Sequence, residues 1–184
     1  MRIVGGRFRG LRLADLGAGD QDARLRPTSD RVRESLFNVL QGGRYGTPLA
    51  EARVLDLFAG TGALGLEALS RGAARATFVD SGATALALLA RNIAKSRTEG
   101  ETLVVPRDAT RLGPGTPHDL VFLDPPYGRG LGEAALAAAR EGGWLAPEAL
   151  IVWEERAPMP PPEDFTPLES RRYGDTHVTF LRAP

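Results

Sequence analysis

Residues 54–69 read VLDLFAGTGALGLEAL and join a short apolar run to a segment with helical spacing. Gly60, Gly62 and Gly65 form the pattern GxGxxG at this junction. A missing Cβ at such a junction lets a ligand approach both the backbone and the N-terminus of the following helix. The stretch therefore predicts a strand, a ligand-binding loop and a helix, which is the opening unit of a nucleotide-binding α/β sheet.

The chain after this stretch repeats the same alternation. The apolar runs ATFVD, TLVVP, LVFLD and ALIVWE alternate with Ala- and Leu-rich segments such as 84–96 and 132–140. Apolar strands separated by helices are typical of a parallel sheet covered on both faces. HVTFLR at 177–182 follows the turn signal RRYGDT and is expected to be an antiparallel strand. We predict a doubly wound, mostly parallel, Rossmann-like α/β fold with a C-terminal antiparallel strand.

Residues 1–45 precede the alternation and are predicted to form a basic extension. They contain nine arginines and five acidic residues, although the whole 184-residue chain has no net charge. Glycines at the turns predict a small β-hairpin over residues 2–13, ordered by itself or by a partner. LRPTSDRVRESLFNVL predicts an amphipathic helix of about three turns, capped by Thr28 or Ser29. Such an extension suits a phosphate-rich partner, although a solvated arginine-rich surface explains the same composition.

Composition excludes several kinds of chemistry. The chain has no cysteine and two histidines, His118 and His177, which excludes disulfides, thiol catalysis and cysteine-based metal sites. We therefore expect no metal.

No stretch approaches the ~20 apolar residues that span a bilayer, and the N-terminus has no apolar signal region. We expect a cytoplasmic monomer of one domain over residues 1–184, with residues 46–184 as its catalytic core.

Two acidic residues beside the glycines favour a particular cofactor. Asp80 ends the next apolar run, where a carboxylate accepts hydrogen bonds from ribose hydroxyls. Asp56 stands four residues before Gly60, where it repels a pyrophosphate but attracts the ammonium group of an amino acid. S-adenosylmethionine fits both residues better than NAD. A dehydrogenase is disfavoured also because no histidine or lysine base is found near the strand ends.

LVFLDPPYG at 120–128 is the second motif that points to chemistry. Asp124 follows four apolar residues, so it should project from the carboxyl end of a buried strand, where open α/β sheets bind ligands. Pro125 and Pro126 remove two backbone donors and leave carbonyls to face a substrate. The Asp124 carboxylate and the Pro125 carbonyl suit an exocyclic amine, while Tyr127 can stack on a base rotated out of its helix or loop. The structural alternative is a strand that ends in a proline turn, with Tyr127 covering the sheet.

These motifs resemble those of a known family. VLDLFAGTGALGLEAL is similar to the cofactor motif of Class I S-adenosylmethionine-dependent methyltransferases, and DPPY to the catalytic motif of those that methylate exocyclic amines of bases. MRIVGGRFRG, LRPTSDRVRESLFNVL, DLFAGTGALGLEALSRGA and RRYGDT, in this order, resemble the bacterial 16S ribosomal RNA guanine-N2 methyltransferase family of the RsmD type. The resemblance covers nearly the whole chain. It implies methylation of a guanine N2 amine in 16S RNA, either free or within the small (30S) subunit.

The resemblance also implies roles for individual residues. The cofactor residues would be Asp56, Phe58, Gly60, Gly62, Asp80, Asp108 and Ala109, with Asp108 and the Ala109 amide at the adenine. The guanine would be held by Asp124, Pro125, Pro126 and Tyr127. The expected RNA contacts are Arg7, Arg9, Arg31 and Arg172. Two positions depart from the family pattern: Asp80 replaces a frequent Glu, and Arg107 replaces a frequent small residue.

Several alternatives stay open at this point. DPPY specifies only an exocyclic amine, so N6-adenine methylation of RNA or DNA is an alternative, and a catalytically idle RNA-binding module is another. Arg31 pairs on the surface with Glu34, or else Thr28 or Arg31 contacts the carboxylate of the cofactor or the RNA. Residues 172–175 form either a structural turn or a wall of the substrate cleft. Trp153 and Glu154 are expected to pack and to cap the sheet.

Overall fold

The computed structural model describes residues 1–15 and 29–184, and a seven-stranded sheet forms its centre. The strands are β1 (Arg53–Leu57), β2 (Arg75–Asp80), β3 (Thr102–Pro106), β4 (His118–Leu123), β5 (Leu145–Glu155), β6 (Thr166–Tyr173) and β7 (Thr176–Arg182). Their order in the sheet is β3-β2-β1-β4-β5-β7-β6. Strands β1 to β5 run parallel to one another, whereas β7 is antiparallel to β5 and β6. The predicted mostly parallel sheet is therefore confirmed.

Helices cover both faces of this sheet. They are α1 (Asp30–Gln41), α2 (Ala63–Ser70), α3 (Ala83–Ser96) and α4 (Leu131–Glu141). Buried residues of α1, α2 and α3 share one apolar cluster with Val54 and Phe122, whereas those of α4 share the other with Leu55 and Val121. Because successive strand residues point to opposite faces, a strand buried on both faces must be apolar throughout. The predicted doubly wound arrangement is confirmed. No described helix is long and apolar enough to cross a membrane.

The strand order places a ligand site at one edge of the sheet. From β1 the chain first adds β2 and β3 on one side, then returns to add β4 and β5 on the other. The crevice between the carboxyl ends of β1 and β4 is therefore the point where the order reverses. Open α/β sheets bind their ligands at this crevice. The loops after β1, β2 and β4 all begin at the same edge.

The C-terminal hairpin is only half predicted by the sequence. The strand expected at 177–182 is present as β7, and the turn signal before it joins β7 to β6. Strand β6 was not predicted. Its residues are exposed or half-buried throughout, and they pair with β7 alone at the edge of the sheet. An edge strand without a buried face leaves no apolar alternation in its sequence, so the pattern that reveals the other strands is missing.

The N-terminal arm, residues 1–15, has the hairpin-like pairing that the sequence predicts, with antiparallel hydrogen bonds from the Leu13 amide to the Met1 carbonyl and from the Ile3 amide to the Leu11 carbonyl. One antiparallel bridge joins Arg2 to Arg12, and the chain turns through a 3-10 segment at Gly6–Phe8. Gly6 has φ +72° and lies against α2, where an added Cβ would be 1.8 Å from the Ser70 carbonyl oxygen. Gly6 thus serves both the turn of the hairpin and its close approach to a helix.

Buried contacts give the arm its order within this chain. Ile3 and Leu13 are buried in the apolar cluster that also holds α1 and α2. The Glu67 carboxylate on α2 accepts hydrogen bonds from the backbone amides of Val4 and Gly5, both at 2.9 Å. Farther along, the Asn92 side chain on α3 accepts from the Ala14 amide at 2.6 Å. The arm is consequently packed against the core, and its order does not require a partner.

Helix α1 confirms the amphipathic helix predicted before the core. The Ser29 hydroxyl caps it by accepting a hydrogen bond from the Val32 amide at 3.3 Å. Thr28, the other predicted cap, lies outside the described residues. The helix differs from expectation at Arg33, which is fully buried and lies 3.5 Å from the Glu67 carboxylate. Arg33 on the buried face thus pairs with Glu67, the carboxylate that holds the arm, and the sequence pattern did not reveal this contact.

Candidate active site

The loop between β1 and α2 turns through a conformation that favours ligand access. Phe58 has φ +60°, a left-handed conformation that costs a non-glycine residue about 1–3 kcal/mol and is found most often at functional sites. Gly62 caps α2 with φ +78°, and a Cβ there would be 2.4 Å from Leu89 Cδ1. The sequence GxGxxG is therefore required by the packing of this loop as well as by any ligand beside it.

Asp80 connects the loops that follow β1 and β2. One carboxylate oxygen accepts from the Gly60 amide at 2.8 Å, and the other accepts from the Gly82 amide at 2.8 Å. A carboxylate offers about four lone-pair positions, so it can accept further hydrogen bonds from ribose hydroxyls while it holds both amides. Asp80 thus shapes the glycine loop in addition to its predicted place in the cofactor site.

Asp56 lies in β1 below the glycine loop and is 1% exposed. Its carboxylate accepts a hydrogen bond from the Gly65 amide at 2.9 Å. Burial, helped by the charge of Asp80, raises the pKa of the Asp56 carboxyl to about 8. Since a nearby cation favours the charged form, an ammonium group beside Asp56 would stabilise its ionised state.

Asp56 predicts a pH dependence of stability. The folded carboxyl has a pKa of about 8 against 3.8 when unfolded, so the folded state binds more protons between these values. Stability from this group is therefore present at low pH and is lost as the pH rises toward 8. Asp56→Asn keeps an acceptor for Gly65 but has no carboxyl to titrate. In urea unfolding we expect its stability relative to wild type to increase steadily from pH 5 to pH 8. A stability difference that is constant across this range would contradict the shift.

The predicted adenine-contacting pair follows β3. The Asp108 carboxylate is exposed and accepts from the Thr110 amide at 2.9 Å and its hydroxyl at 2.8 Å, and these two bonds lower its pKa. Ala109 is buried against the α4 face of the sheet. The Arg107 guanidinium donates to the Leu112 carbonyl of the same loop. Asp108 therefore stays ionised at the carboxyl edge of the sheet, directly after β3.

Asp124 lies at the crevice where the strand order reverses. Its amide is 3.5 Å from the Leu57 carbonyl, which places it beside the end of β1 and the start of the glycine loop. Burial and the neighbouring charge of Glu154 raise the pKa of the Asp124 carboxyl well above its usual value. Pro125 is buried and Pro126 is half-buried, so the two prolines hold the chain rigid directly after this carboxylate.

Tyr127 is half-buried, and its hydroxyl is fixed by two neighbours. The hydroxyl donates to Glu154 Oε1 at 2.9 Å and is 3.4 Å from Thr176 Oγ1. Burial and the charge of Glu154 raise the pKa of the Tyr127 hydroxyl, so it stays protonated and can donate. The Arg156 guanidinium carbon lies 5.8 Å from the centre of the Tyr127 ring. The ring is therefore held in one orientation beside Asp124.

Glu154 and Glu155 are site residues that the sequence reasoning missed. Glu154 was expected only to pack and to cap the sheet, but it binds Tyr127 and raises the pKa of Asp124. Glu155 accepts from the Gly128 amide at 3.3 Å and so fixes the end of the DPPYG loop. The available signal was the pair of acids that follows the apolar run ALIVW. Trp153 is fully buried, so the packing expected for it is confirmed.

The four predicted RNA-contacting arginines lie in different places. Arg7 pairs with Glu101, directly before β3, and Arg9 is exposed in the same turn of the arm. These two residues are therefore near the amino ends of the strands, opposite the edge that holds Asp124. Arg31 is exposed in the first turn of α1.

Arg172 is the second-last residue of β6, where it is paired with His177 of β7 next to the turn. Its Nε donates to the Gly174 carbonyl at 2.7 Å, which gives the residue a part in the turn itself. The same turn leads to Thr176, the neighbour of Tyr127. Residues 172–175 thus include the turn of the C-terminal hairpin, and the turn leads to a neighbour of Tyr127.

The seven-stranded order, the glycine loop after β1 and the acidic residue at the end of β2 define the class of Class I methyltransferase folds. The sequence bears this out, because the profile of the family described as Conserved hypothetical protein 95 matches residues 1–182. The chain belongs to this family, the RsmD family, as the motifs predicted.

Relatives extend the comparison over most of the chain. The ribosomal RNA small subunit methyltransferase D of Escherichia coli K12 is 45% identical over 156 residues, which cover 84% of this chain and 74% of that protein. The protein of the same name from Haemophilus influenzae is 37% identical over 95% of this chain and 89% of its own length. The solved structure of the Escherichia coli protein yhhF superposes with a TM-score of 0.83 at 39% identity, covering all of this chain and 97% of that one.

Proposed function

We propose that this protein transfers the methyl group of S-adenosylmethionine to the exocyclic N2 amine of a guanine in 16S ribosomal RNA. The observation that carries the proposal is the position of DPPY. Asp124 is adjacent to Leu57, the last residue of the strand that leads into the glycine loop. A donor held at that loop and an acceptor amine held at DPPY therefore meet at one crevice.

The residues of the glycine side fit S-adenosylmethionine. Asp56 is a buried carboxylate whose pKa is raised by burial and by the charge of Asp80, and the ammonium group of the cofactor would favour its ionised form. Asp80 would accept from the ribose hydroxyls, with Phe58, Gly60 and Gly62 forming the backbone turn beside them. Asp108 and the Ala109 amide would contact the adenine. When bound, the cofactor supplies a methyl group on a positively charged sulfur, so the protein need not activate it further.

The residues of the DPPY side would hold the target base. Asp124 and the Pro125 carbonyl accept hydrogen bonds from the amine and orient its lone pair, while Pro126 keeps the loop rigid and Tyr127 stacks on the base. Glu154 keeps the Tyr127 ring in place. Orientation of this kind contributes up to about 7–11 kcal/mol to catalysis. The amine becomes acidic as it acquires the methyl group, and its proton then leaves to Asp124 or to water.

The relatives support ribosomal RNA of the small subunit as substrate, because the Escherichia coli and Haemophilus influenzae proteins are named for it. We propose that the chain acts in the cytoplasm as a monomeric single-domain enzyme. Residues 46–184 would carry the reaction, and residues 1–45 would complete the core beside it. The 16S RNA is the proposed partner, free or within the 30S subunit.

Nucleoside mass spectrometry tests the proposal directly. The protein is incubated with labelled S-adenosylmethionine and 16S RNA, free and in 30S subunits, from cells that lack this methylation. We expect label in N2-methylguanine at one position. Label in N6-methyladenine would establish the alternative amine instead, and RNA binding without any transfer would indicate an idle RNA-binding module.

A further inference from the structure

Three exposed arginines lie on three separate segments at the sheet edge that holds Tyr127, and we call them the arginine rim: Arg129, Arg156 and Arg172. Arg129 follows Gly128, whose amide is bound to Glu155 at the end of β5. Arg156 follows the same strand and places its guanidinium 5.8 Å from the centre of the Tyr127 ring. Arg172 lies near the end of β6, at the same edge as the end of β5, because His177 of β7 is in register with both Arg172 and Glu155.

The position of Arg156 is fixed by the sheet. Its backbone carbonyl is 2.8 Å from Nδ1 of His177, and His177 is paired in register with Glu155. The chain therefore leaves β5 in a defined direction, with the Arg156 side chain toward the tyrosine. Thus the loop after β4, the loop after β5 and the end of β6 each bring one exposed arginine to the sheet edge that holds the crevice.

The charges at this edge are arranged in two layers. The inner layer is acidic, because Asp124 lies in the crevice and Glu154 and Glu155 are only 6% and 7% exposed. A phosphate group that approached these carboxylates alone would be repelled. The arginine rim is the outer layer, and its exposed guanidinium groups meet an incoming polyanion first.

We infer that the arginine rim binds the phosphates that flank the target base of the RNA, and that it is the main electrostatic contact between protein and RNA. This inference rests on the proposed function. Guanidinium groups pair with phosphate oxygens in a bidentate manner, which positions a strand without reading its sequence. A strand held by the rim would present one base to Tyr127 and Asp124.

The inference changes the role expected for the arm. Arg7 is paired with Glu101 near the amino ends of the strands, and Arg9 lies in the same turn. Strand β3 separates Glu101 from the carboxyl edge by five residues, or roughly 16 Å. Arg7 and Arg9 therefore do not border the crevice that would receive the base. The uneven charge of the sequence identifies a basic segment, but on this inference the main RNA-binding surface lies elsewhere.

RNA binding measured at several salt concentrations distinguishes the two surfaces. The rim variant changes Arg129, Arg156 and Arg172 to Ala, and the arm variant changes Arg7 and Arg9 to Ala. A control variant changes three exposed arginines elsewhere to Ala, namely Arg75, Arg91 and Arg97. The probe is the unmethylated 30S subunit, and thermal unfolding checks that each variant is folded.

The salt slope is the slope of the logarithm of the binding constant against the logarithm of the salt concentration. We expect the rim variant to bind RNA at least about tenfold more weakly and its slope to become shallower by about two to three units, since each lost phosphate contact removes about one unit. Control and arm variants should keep the wild-type slope within about one unit. S-adenosylmethionine affinity should be unchanged in all three. Changing the rim to lysine should restore most of the slope, because the charge is retained.

The outcomes separate this inference from the proposed function. If the wild type methylates guanine but the rim variant binds like the control variant, the inference is wrong and the proposed function stands. A loss of slope in the arm variant alone would return RNA binding to the arm and overturn the rim. If the rim variant loses the slope but the wild type never transfers a methyl group, the rim stands and the proposed function fails.

Discussion

Replacing Asp124 with alanine is expected to lower methyl transfer to 16S RNA by at least about 100-fold at saturating cofactor and RNA. The substitution removes the carboxylate that would orient the amine, and removal of one such preorganised group commonly costs a factor of 10²–10³ in turnover. Cofactor affinity should change only a few-fold, because Asp56 and Asp80 lie on the other side of the crevice. Single-turnover assays measure the first quantity and calorimetry the second.

A matched control lies on the same strand. Asp119 is near the opposite end of β4, where it forms an exposed ion pair with Arg53 at 2.7 Å. Asp119→Ala should therefore keep turnover near that of the wild type, since exposed pairs contribute little to stability. If Asp124→Ala kept wild-type turnover, or if it abolished cofactor binding in a folded protein, DPPY would not be the site of the target base.

The parallel part of the fold is predictable because nearly all residues of its strands are apolar and serve only to fill the core. Val54 and Leu55 face opposite sides of the sheet and are both fully buried, so the strand is apolar at every position. The same reason applies to β2 and β4. Asp56 and Asp124 interrupt or end such runs, and a carboxylate at a buried strand is costly unless it has a use. This is why the sequence located the crevice.

The remaining features depend on contacts between segments far apart in the chain. Glu154 is 27 residues from Tyr127 in the chain. The local sequence around Glu154 therefore does not reveal that it binds the tyrosine in addition to ending a strand. Arg33 has the composition of a solvated helix face but is buried beside Glu67, 34 residues away. Charge counting has the same limit, because it cannot show that Arg7 has Glu101 as partner.

The second large effect is expected for Glu67→Ala, which should destabilise the protein by about 3–5 kcal/mol. Glu67 is fully buried and lies 3.5 Å from Arg33 Nε and 2.7 Å from Arg71 Nε, in addition to the two amides of the arm. The substitution takes one buried carboxylate from two guanidinium groups and two amides at once, and although Arg33 keeps Asp30 at 2.8 Å, this loss is much larger than that of a surface pair. For a chain of this size, the thermal midpoint should fall by roughly 6–20 °C.

The same substitution should also release the arm, which distinguishes an anchor from a general stabilising contact. Without the carboxylate, the Val4 and Gly5 amides lose their acceptor, so trypsin should cleave after Arg7 and Arg9 while the core is still folded. Glu67→Gln keeps one carbonyl acceptor and should retain more of the arm, and Glu34→Ala, on the exposed face of α1, should change neither quantity. A midpoint within about 2 °C of wild type and an uncleaved arm would contradict the role of Glu67.

The arm is expected to affect the glycine loop as well. Asn92 accepts from the Ala14 amide and also donates to the Thr61 carbonyl at 2.9 Å, so one side chain joins the end of the arm to the loop between β1 and α2. When Glu67→Ala frees the arm, the loop loses part of this support. S-adenosylmethionine affinity should then fall together with trypsin resistance, whereas Asp124→Ala leaves both intact. An arm that is cleaved without any loss of cofactor affinity would show that Asn92 holds the loop by itself.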